Sequence, residues 1–273
     1  MRIGILGTGS YVPEKVLTND DLAKIVDTND EWITTRTGIK ERRIASENEA
    51  TSDLAFCAAK KAINDAGIDK NEIDLIIVAT MTPDHFTPST AALVQDKLGI
   101  KAAAFDISAA CTGFVYAFTT GYSFIKSGIY KKVLVIGAET MSRVMDWSDR
   151  GTCILFGDGS GAVVLGEVQT GGFCASHLVA DGSGACELIV PAGGSRKVVT
   201  VEALENKETY LQMNGREIFK FAVRVFPETV EDVLTQAGIT ADDVDLFIPH
   251  QANIRIIESI AKRFKQPLDK FFV

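Results

Sequence analysis

Long apolar runs that alternate with amphipathic helical patterns constrain the fold of this chain more than any other feature. The apolar runs include IDLIIVATM (73–81), AAAFDIS (102–108) and KKVLVIGAE (131–139), and helical patterns lie before and between them. Strands that are buried on both faces of a sheet are continuously apolar, and parallel strands need crossover connections, usually helices. The alternation therefore predicts an α/β fold with a buried, mostly parallel sheet.

The rest of the chain carries weaker patterns. CILFGDGSGAVVLGEV (153–168) predicts two strands joined by a tight Gly-Asp turn, and the sequence stays strand-like to about residue 201. Residues 214–239 then have a helical pattern, in which Pro227 should start a new helix or kink one.

Two segments of the chain resemble each other at a constant offset of 171 residues. DAGIDKNEIDLIIVAT (65–80) aligns without a gap to QAGITADDVDLFIPHQ (236–251). Some of this likeness is general, because glycine commonly ends helices and apolar residues follow in strands. The shared order along the whole stretch nevertheless favours a duplication. We therefore predict two similar αβ halves, residues 1–168 and 169–273, which stack sheet and helix layers around one core.

Composition excludes several classes of function. A formal charge of −8 argues against general nucleic-acid binding, and no apolar run is long enough to span a bilayer. The N-terminal stretch lacks a secretory-signal pattern, so we expect a cytoplasmic protein. Five cysteines without a CxxC pair, and without histidines at metal spacing, predict neither disulfides nor a metal site. GTGSYV (7–12) lacks the third glycine of a dinucleotide fingerprint, so no cofactor is expected.

Cys111 and His250 are the candidate catalytic residues. Cys111 stands in DISAACTGFVYAF (106–118), where a strand pattern gives way to a helical one. The start of a helix favours a thiolate, although most free cysteines are buried and inert. His250, in IPHQAN, follows an apolar strand pattern, where ligands collect in α/β sheets. A Cys/His pair supports hydrolysis or acyl transfer, and the pattern leaves both open.

Basic residues cluster late in this acidic chain. One group recurs every fourth residue and so shares a helix face, and a second group lies in the helix after His250. The two groups are Arg216, Lys220 and Arg224, and Arg255, Lys262 and Arg263. Such runs are commonly solvated helix faces, but they also suit an acidic macromolecular partner.

Four segments, in chain order, resemble the β-ketoacyl-acyl-carrier-protein synthase III family of the thiolase superfamily. They are NDEWITTRTGIKERRI (29–44), DISAACTGFVYAF (106–118), DRGTCILFGDGSGAVVL (149–165) and IPHQANIRII (248–257). The resemblance covers essentially the whole chain. It implies a duplicated, five-layered αβαβα architecture with mixed, mostly parallel sheets, and a homodimer. It also implies that the chain starts type II fatty-acid synthesis, by condensing an acyl-CoA primer, expected to be acetyl-CoA, with malonyl-acyl carrier protein (malonyl-ACP).

The family's functional residues map onto matching positions in this sequence. Cys111 matches the nucleophile that takes the acyl primer, and His250 matches the catalytic histidine. Trp32 and Arg150 match residues that stack on the CoA adenine, with Arg36 nearby for phosphate. The pantetheine tunnel corresponds to Gly215, Phe219, Ala222 and Asn253, and the carrier-protein docking patch to Lys220, Arg255, Lys262 and Arg263. Phe86 matches a residue that crosses the dimer interface and limits the partner's acyl pocket.

The chain stops at DKFFV, whereas the family continues for a few tens of residues, which include its catalytic asparagine and a glycine-rich oxyanion loop. We expect the sequence to be an incomplete version of an intact enzyme. The alternative is a truncated, catalytically impaired carrier-protein binder.

Other functions stay open at this point. A hydroxymethylglutaryl-CoA-type synthase and a chalcone-type synthase share the superfamily, but the Cys-Thr-Gly-Phe context and the Trp32/Arg36 segment favour synthase III. A related acyltransferase or ketosynthase of secondary metabolism could share every motif quoted above. A papain-like hydrolase is the alternative from another class of enzyme. Neither the chain length nor the branching of the primer follows from the sequence.

Overall fold

The computed structural model of the protein describes residues 1–273. Its strands are β1 (Ile3–Tyr11), β2 (Lys15–Thr18), β3 (Glu41–Ile44), β4 (Leu75–Ala79), β5 (Ala103–Ile107), β6 (Val133–Thr140), β7 (Asp158–Glu167), β8 (Leu188–Ile189) and β9 (Gln212–Met213). Its α-helices are α1 (Asn19–Leu22), α2 (Asp30–Thr37), α3 (Thr51–Asp65), α4 (Thr90–Leu98), α5 (Gly113–Lys126), α6 (Arg150–Cys153), α7 (Val201–Glu205), α8 (Gly215–Ala237) and α9 (Ile254–Phe264). None of these helices combines the length and apolar character needed to cross a membrane.

The main sheet has five strands in the order β1-β7-β6-β4-β5. β4 pairs in parallel with β5 and β6, whereas β7 pairs antiparallel with β6 and β1. The predicted succession of strand and helix from β4 to β6 is confirmed, and the sheet is mixed. The carboxyl ends of β4, β5 and β6 lie at one edge of the sheet, because these three strands are parallel.

Apolar side chains cover both faces of this sheet. On β4, Ile76 and Val78 join the cluster that includes α3 and α4, while Leu75, Ile77 and Ala79 join the cluster that includes α5. Successive side chains of a strand point to opposite faces, so a continuous apolar run fills two layers at once. The result is a helix–sheet–helix arrangement in this part of the chain.

The glycines of GTGSYV let helix α3 approach strand β1 closely. A Cβ atom added at Gly9 would lie against the backbone at Ala58 and Ala62, and one added at Gly7 would lie against the backbone at Ala66, well inside van der Waals contact. The facing side of α3 is alanine-rich for the same reason. These glycines therefore serve helix–strand packing.

Three local expectations were wrong or incomplete. Residues 153–168 form no hairpin, because they contain the end of α6 and the single strand β7. The stretch to residue 201 holds only the two-residue strand β8 and an isolated bridge between Gly194 and Lys197. Pro227 neither starts nor ends a helix and lies buried within the continuous α8.

The two similar segments share part of their local structure. Helices α3 and α8 are followed by Gly67 and Gly238, with φ values of 64° and 70°. A capped 3-10 turn comes next in each case, at Lys70–Glu72 and at Ala241–Asp243. The apolar run then forms β4 in the first copy, but only an isolated bridge at Phe247 in the second.

The chain divides into two compact units. The first comprises Met1–Val16, Arg43–Arg143 and Gly157–Cys174 and contains the five-stranded sheet. The second comprises Leu17–Arg42, Val144–Phe156 and Ala175–Val273, and it contains one apolar cluster on α8 and α9 and another around α2 and α6. The sequence halves 1–168 and 169–273 stay a prediction about the duplication.

Candidate active site

Cys111 lies in the turn that joins β5 to α5. Residues Ala110–Thr112 form a single 3-10 turn, and α5 begins at Gly113. Ala110 has a φ of 48°, in the left-handed region that residues with a Cβ rarely adopt. Such strain persists only where the surrounding structure fixes it, and it clusters at functional sites. This strained turn presents an exposed cysteine at the start of a long helix.

The electrostatics of Cys111 differ from the expectation of a stabilised thiolate. Desolvation raises the pKa of the Cys111 thiol, because protein atoms surround the sulfur although the residue reaches solvent. A backbone N–H lowers this pKa and the carboxylate of Glu139 raises it further, so that the net shift is upward. This shift favours the thiol over the thiolate, so Cys111 has to lose a proton if it acts as a nucleophile.

Glu139 is a partly buried carboxylate that no sequence pattern singled out. It lies near the end of β6 and accepts hydrogen bonds from Met81 N at 2.8 Å, Thr82 N at 3.1 Å and Thr80 Oγ1 at 3.2 Å. Burial raises the pKa of Glu139, and these hydrogen bonds oppose that shift. The carboxylate anchors the loop after β4 at the sheet edge that also holds Cys111. The sequence feature that could have indicated a role for Glu139 is its position as the acidic residue that ends the apolar run KKVLVIGAE.

His250 lies in an irregular stretch between the bridge at Phe247 and helix α9. The side-chain amide of Gln251 donates to the carbonyls of Pro249 at 3.0 Å and Phe272 at 2.8 Å, which fixes the turn around the histidine. Although His250 reaches solvent, the protein atoms around its imidazole lower its pKa below the usual value of 6.5. The imidazole is therefore neutral at pH 7 and can donate one hydrogen bond while it accepts another.

Trp32, Arg36 and Arg150 come together in the second unit. The guanidinium carbon of Arg36 lies 4.5 Å from the centre of the Trp32 ring, and that of Arg150 lies 4.7 Å from it. Both distances are within the range of cation–π attraction. Arg150 Nη1 also donates to the Asp27 carbonyl at 2.7 Å. An indole ring with two guanidinium groups is well suited to hold a flat, negatively charged nucleotide. We call these three residues the Trp32 clamp.

The four residues expected along a pantetheine tunnel lie on α8 and at the start of α9. Gly215, Phe219 and Ala222 follow one another at helical spacing on α8, and Ala222 packs into the apolar cluster shared with α9. Asn253 caps α9, because its Oδ1 accepts a hydrogen bond from Arg255 N at 2.9 Å. Its side-chain carbonyl thus stabilises the helix that follows His250.

The four residues expected to dock a carrier protein are exposed on the α8/α9 pair. Lys220 pairs with Glu217 at 2.7 Å and Arg263 with Glu231 at 3.3 Å. Exposed pairs of this kind contribute little to stability, so both cations can rearrange for a partner. Arg255 and Lys262 lie on α9, whose apolar face packs against α8.

Phe86 is 93% exposed in the loop between β4 and α4, which is extreme for a phenylalanine. The loop itself is anchored, because Asp84 accepts hydrogen bonds from the backbone and side chain of Ser52 at 2.8 and 2.7 Å. Single exposed apolar side chains are common on protein surfaces, so this exposure by itself assigns no role to Phe86.

Two family models match parts of this chain. The model of 3-oxoacyl-[acyl-carrier-protein] synthase III matches residues 105–182, which include Cys111 and Arg150. The model of its C-terminal part matches residues 234–273, which include His250.

Individual relatives extend the match along the whole chain. The β-ketoacyl-[acyl-carrier-protein] synthase III of Caldanaerobacter subterraneus is 55% identical over 272 residues, which cover 99% of this chain and 82% of that protein. The crystal structure of 3-oxoacyl-[acyl-carrier-protein] synthase III from Aquifex aeolicus has a TM-score of 0.90 at 50% identity, covering 99% of this chain and 83% of that one. The priming β-ketosynthase of the R1128 polyketide pathway has a TM-score of 0.87 at 34% identity, over 97% of this chain and 79% of that one. With this identity and coverage, the chain belongs to the β-ketoacyl-acyl-carrier-protein synthase III family and has its thiolase fold.

Proposed function

We propose that this chain condenses an acyl-CoA primer with malonyl-ACP through an acyl-Cys111 intermediate, the initiating step of type II fatty-acid synthesis. The observation that carries the proposal is the strained turn that exposes Cys111 at a helix start, in a chain 55% identical to a named synthase III. A cysteine nucleophile that forms a covalent intermediate divides one difficult transfer into two easier steps.

The first half-reaction moves the acyl group to the enzyme. The sulfur of Cys111 bonds to the thioester carbon, the bond from that carbon to the CoA sulfur breaks, and the thiol proton ends on CoA. We assign the Trp32 clamp to the nucleotide of CoA, and Gly215, Phe219, Ala222 and Asn253 to its pantetheine arm. Binding energy from parts of the substrate remote from the thioester then positions the reacting atoms.

The second half-reaction forms the carbon–carbon bond. Malonyl-ACP loses CO₂, and the electron pair of the broken bond forms an enolate. The enolate carbon bonds to the acyl carbonyl carbon, the bond from that carbon to the Cys111 sulfur breaks, and the thiolate that leaves takes up a proton from solvent. We assign His250 to a hydrogen bond on the enolate oxygen, because its neutral imidazole can donate one. Donors that are fixed where charge develops supply much of the rate enhancement of such reactions.

Competition between primers tests this proposal and its specificity. We expect mass spectrometry, after incubation with acetyl-, isobutyryl- and octanoyl-CoA together, to find a single acetyl group on the Cys111 peptide. The proposal includes a homodimer in which Phe86 shortens the partner's acyl pocket, so Phe86→Ala should shift loading towards octanoyl-CoA. If the unaltered protein already carries mainly the octanoyl group, the assignment of a short acyl pocket is wrong.

Charge reversal on α9 tests the carrier-protein assignment. We expect the double variant Arg255→Glu with Lys262→Glu to raise the KM for malonyl-ACP at least tenfold, because the partner is acidic and steered by charge. The rate of Cys111 acylation by acyl-CoA should change less than twofold. As a matched control, Lys265→Glu with Lys270→Glu changes the net charge equally outside the assigned patch. If both double variants raise the KM for malonyl-ACP equally, the net charge of the protein causes the effect, and the assigned docking patch is wrong.

A ketosynthase of secondary metabolism is the second candidate, because the priming β-ketosynthase of the R1128 pathway shares the fold at 34% identity. The higher identity of 55% to the Caldanaerobacter enzyme favours fatty-acid synthesis. Carrier preference distinguishes the two candidates, since a fatty-acid carrier protein should be the better malonyl donor in the first case.

A further inference from the structure

The Trp32 clamp depends on two helices that are distant in the chain. Trp32 and Arg36 lie on α2, whereas Arg150 is the first residue of α6. Helix α6 has a single turn of four residues, which is too short to be stable by itself. Contacts with the rest of the unit must therefore determine where Arg150 lies relative to Trp32.

Arg42 provides such a contact on the α6 side. Its side chain is only 4% exposed, and its Nε and Nη2 both donate to the carbonyl oxygen of Ile154, at 3.1 and 2.5 Å. Ile154 is the residue that ends α6. The planar guanidinium directs two N–H groups at one carbonyl and so fixes both the distance and the direction of the helix end.

Asn19 continues the connection to α2. Arg42 Nη1 donates to Asn19 Oδ1 at 2.6 Å, and Asn19 is 1% exposed. Asn19 Nδ2 in turn donates to Asp30 Oδ1 at 2.8 Å and to the carbonyl of Ile39 at 2.9 Å. Asp30 is the first residue of α2 and Ile39 follows its last turn, so one amide contacts both ends of the helix.

An apolar cluster surrounds this chain of hydrogen bonds. Leu22, Ile33, Cys153 and Ile154 are buried there, and Trp32 packs against them. Burial lowers the pKa of the Arg42 guanidinium, which reflects the cost of keeping a charge in this place. Well-packed apolar residues often replace buried charges without loss of stability. Stability alone is therefore a weak reason for a buried arginine here.

We propose that Arg42 and Asn19 are positioning residues, which hold α6 against α2 so that Arg150 and Arg36 meet the Trp32 ring in the geometry that binds the nucleotide of acyl-CoA. The proposal rests on the proposed function, because it takes the Trp32 clamp as the nucleotide site. Neither residue touches the substrate. Their effect should be confined to donors that carry the nucleotide.

The test compares acyl-CoA with acyl-pantetheine, which lacks the nucleotide. We expect Arg42→Met to raise the ratio of the KM for acyl-CoA to the KM for acyl-pantetheine about tenfold, as expected when one cation–π contact is lost. The kcat with acyl-CoA should change less than twofold. Arg42→Lys keeps the charge but not the planar guanidinium. It should raise this KM ratio nearly as much as Arg42→Met does. Arg143→Met is the matched control, since Arg143 donates to the carbonyl of Ser46 in the other unit. The control should leave the ratio unchanged.

A double-mutant cycle with Trp32→Leu separates a positioning role from a merely structural one. If Arg42 acts through the clamp, Arg42→Met should have almost no further effect on the ratio once Trp32 is replaced. Additive effects would overturn the proposal, as would an unchanged ratio in Arg42→Met. If Arg42→Met does not fold, Asn19→Ala makes the same test, because it removes the link to α2 and leaves the Arg42–Ile154 contact. If Trp32→Leu alone leaves the ratio unchanged, the nucleotide site itself is wrong, and both proposals on it fail together.

Discussion

Cys111→Ala should abolish acylation of the protein by acyl-CoA. The variant retains the turn and the helix start but lacks the sulfur that bonds to the acyl carbon, so no covalent intermediate can form. Loss of a nucleophile lowers turnover by several orders of magnitude in enzymes that act through covalent intermediates. Intact-protein mass spectrometry after incubation with acetyl-CoA should therefore find an acyl adduct on the unaltered protein and none on the variant.

Other cysteines supply the controls for this result. Cys186 is exposed like Cys111, and Cys57 is partly buried on α3, but neither stands at a strained helix start. Cys186→Ala and Cys57→Ala should keep at least half of the acylation rate. A loss of acylation in either control variant as complete as that in Cys111→Ala would mean that Cys111 has been wrongly assigned as the nucleophile.

Gly9→Ala should strongly destabilise the protein, although it adds only one methyl group. The new Cβ would lie against the backbone oxygen of Ala58 and the backbone nitrogen of Ala62, so α3 must move away from β1. That movement opens the apolar cluster between α3 and the sheet. Overpacking against a rigid backbone should lower the free energy of unfolding by more than about 3 kcal/mol, a large part of a typical total.

Gly161→Ala is the matched control for that change. Gly161 lies on the neighbouring strand β7, opposite Ser10, and a Cβ atom there would have no atom within 4 Å. Its free energy of unfolding should change by less than about 1 kcal/mol. Equilibrium unfolding in urea measures both variants. Equal stability of the two would show that the close approach of α3 to β1 does not limit the fold.

Local patterns predicted the central strands and helices because their side chains are apolar on both faces of the sheet. The run LIIVA of β4 could be predicted as a strand from its own residues alone. The local pattern gave a wrong prediction for CILFGDGSGAVVLGEV, because GDGSGA has the composition of a turn but lies at the start of β7. Its antiparallel partners β1 and β6, which are far away in sequence, keep it extended. Glycine stays extended in a strand only when such partner strands hold it, and a local sequence pattern does not reveal those partners.

The residues of the candidate site were also only partly predictable from the sequence. Cys111 and His250 could be proposed from their positions after apolar runs, and the resemblance supplied Trp32 and Arg150 as partners. Their meeting at 4.7 Å follows from tertiary structure alone. Glu139 and Arg42 escaped detection because single charged residues beside apolar runs normally face solvent. Hydrogen bonds to a helix end and to a distant loop hold Arg42 in the interior and Glu139 partly out of solvent.

The measurement that tests the central claim most directly is condensation itself. The protein is incubated with acetyl-CoA and with malonyl-ACP that carries an isotopic label in its free carboxyl group, while labelled CO₂ and the acyl group on the carrier are followed. We expect labelled CO₂ and a β-ketoacyl-ACP to form together, only when both substrates are present, and not with Cys111→Ala. Unchanged malonyl-ACP, in the presence of a protein that has already formed acyl-Cys111, would contradict it.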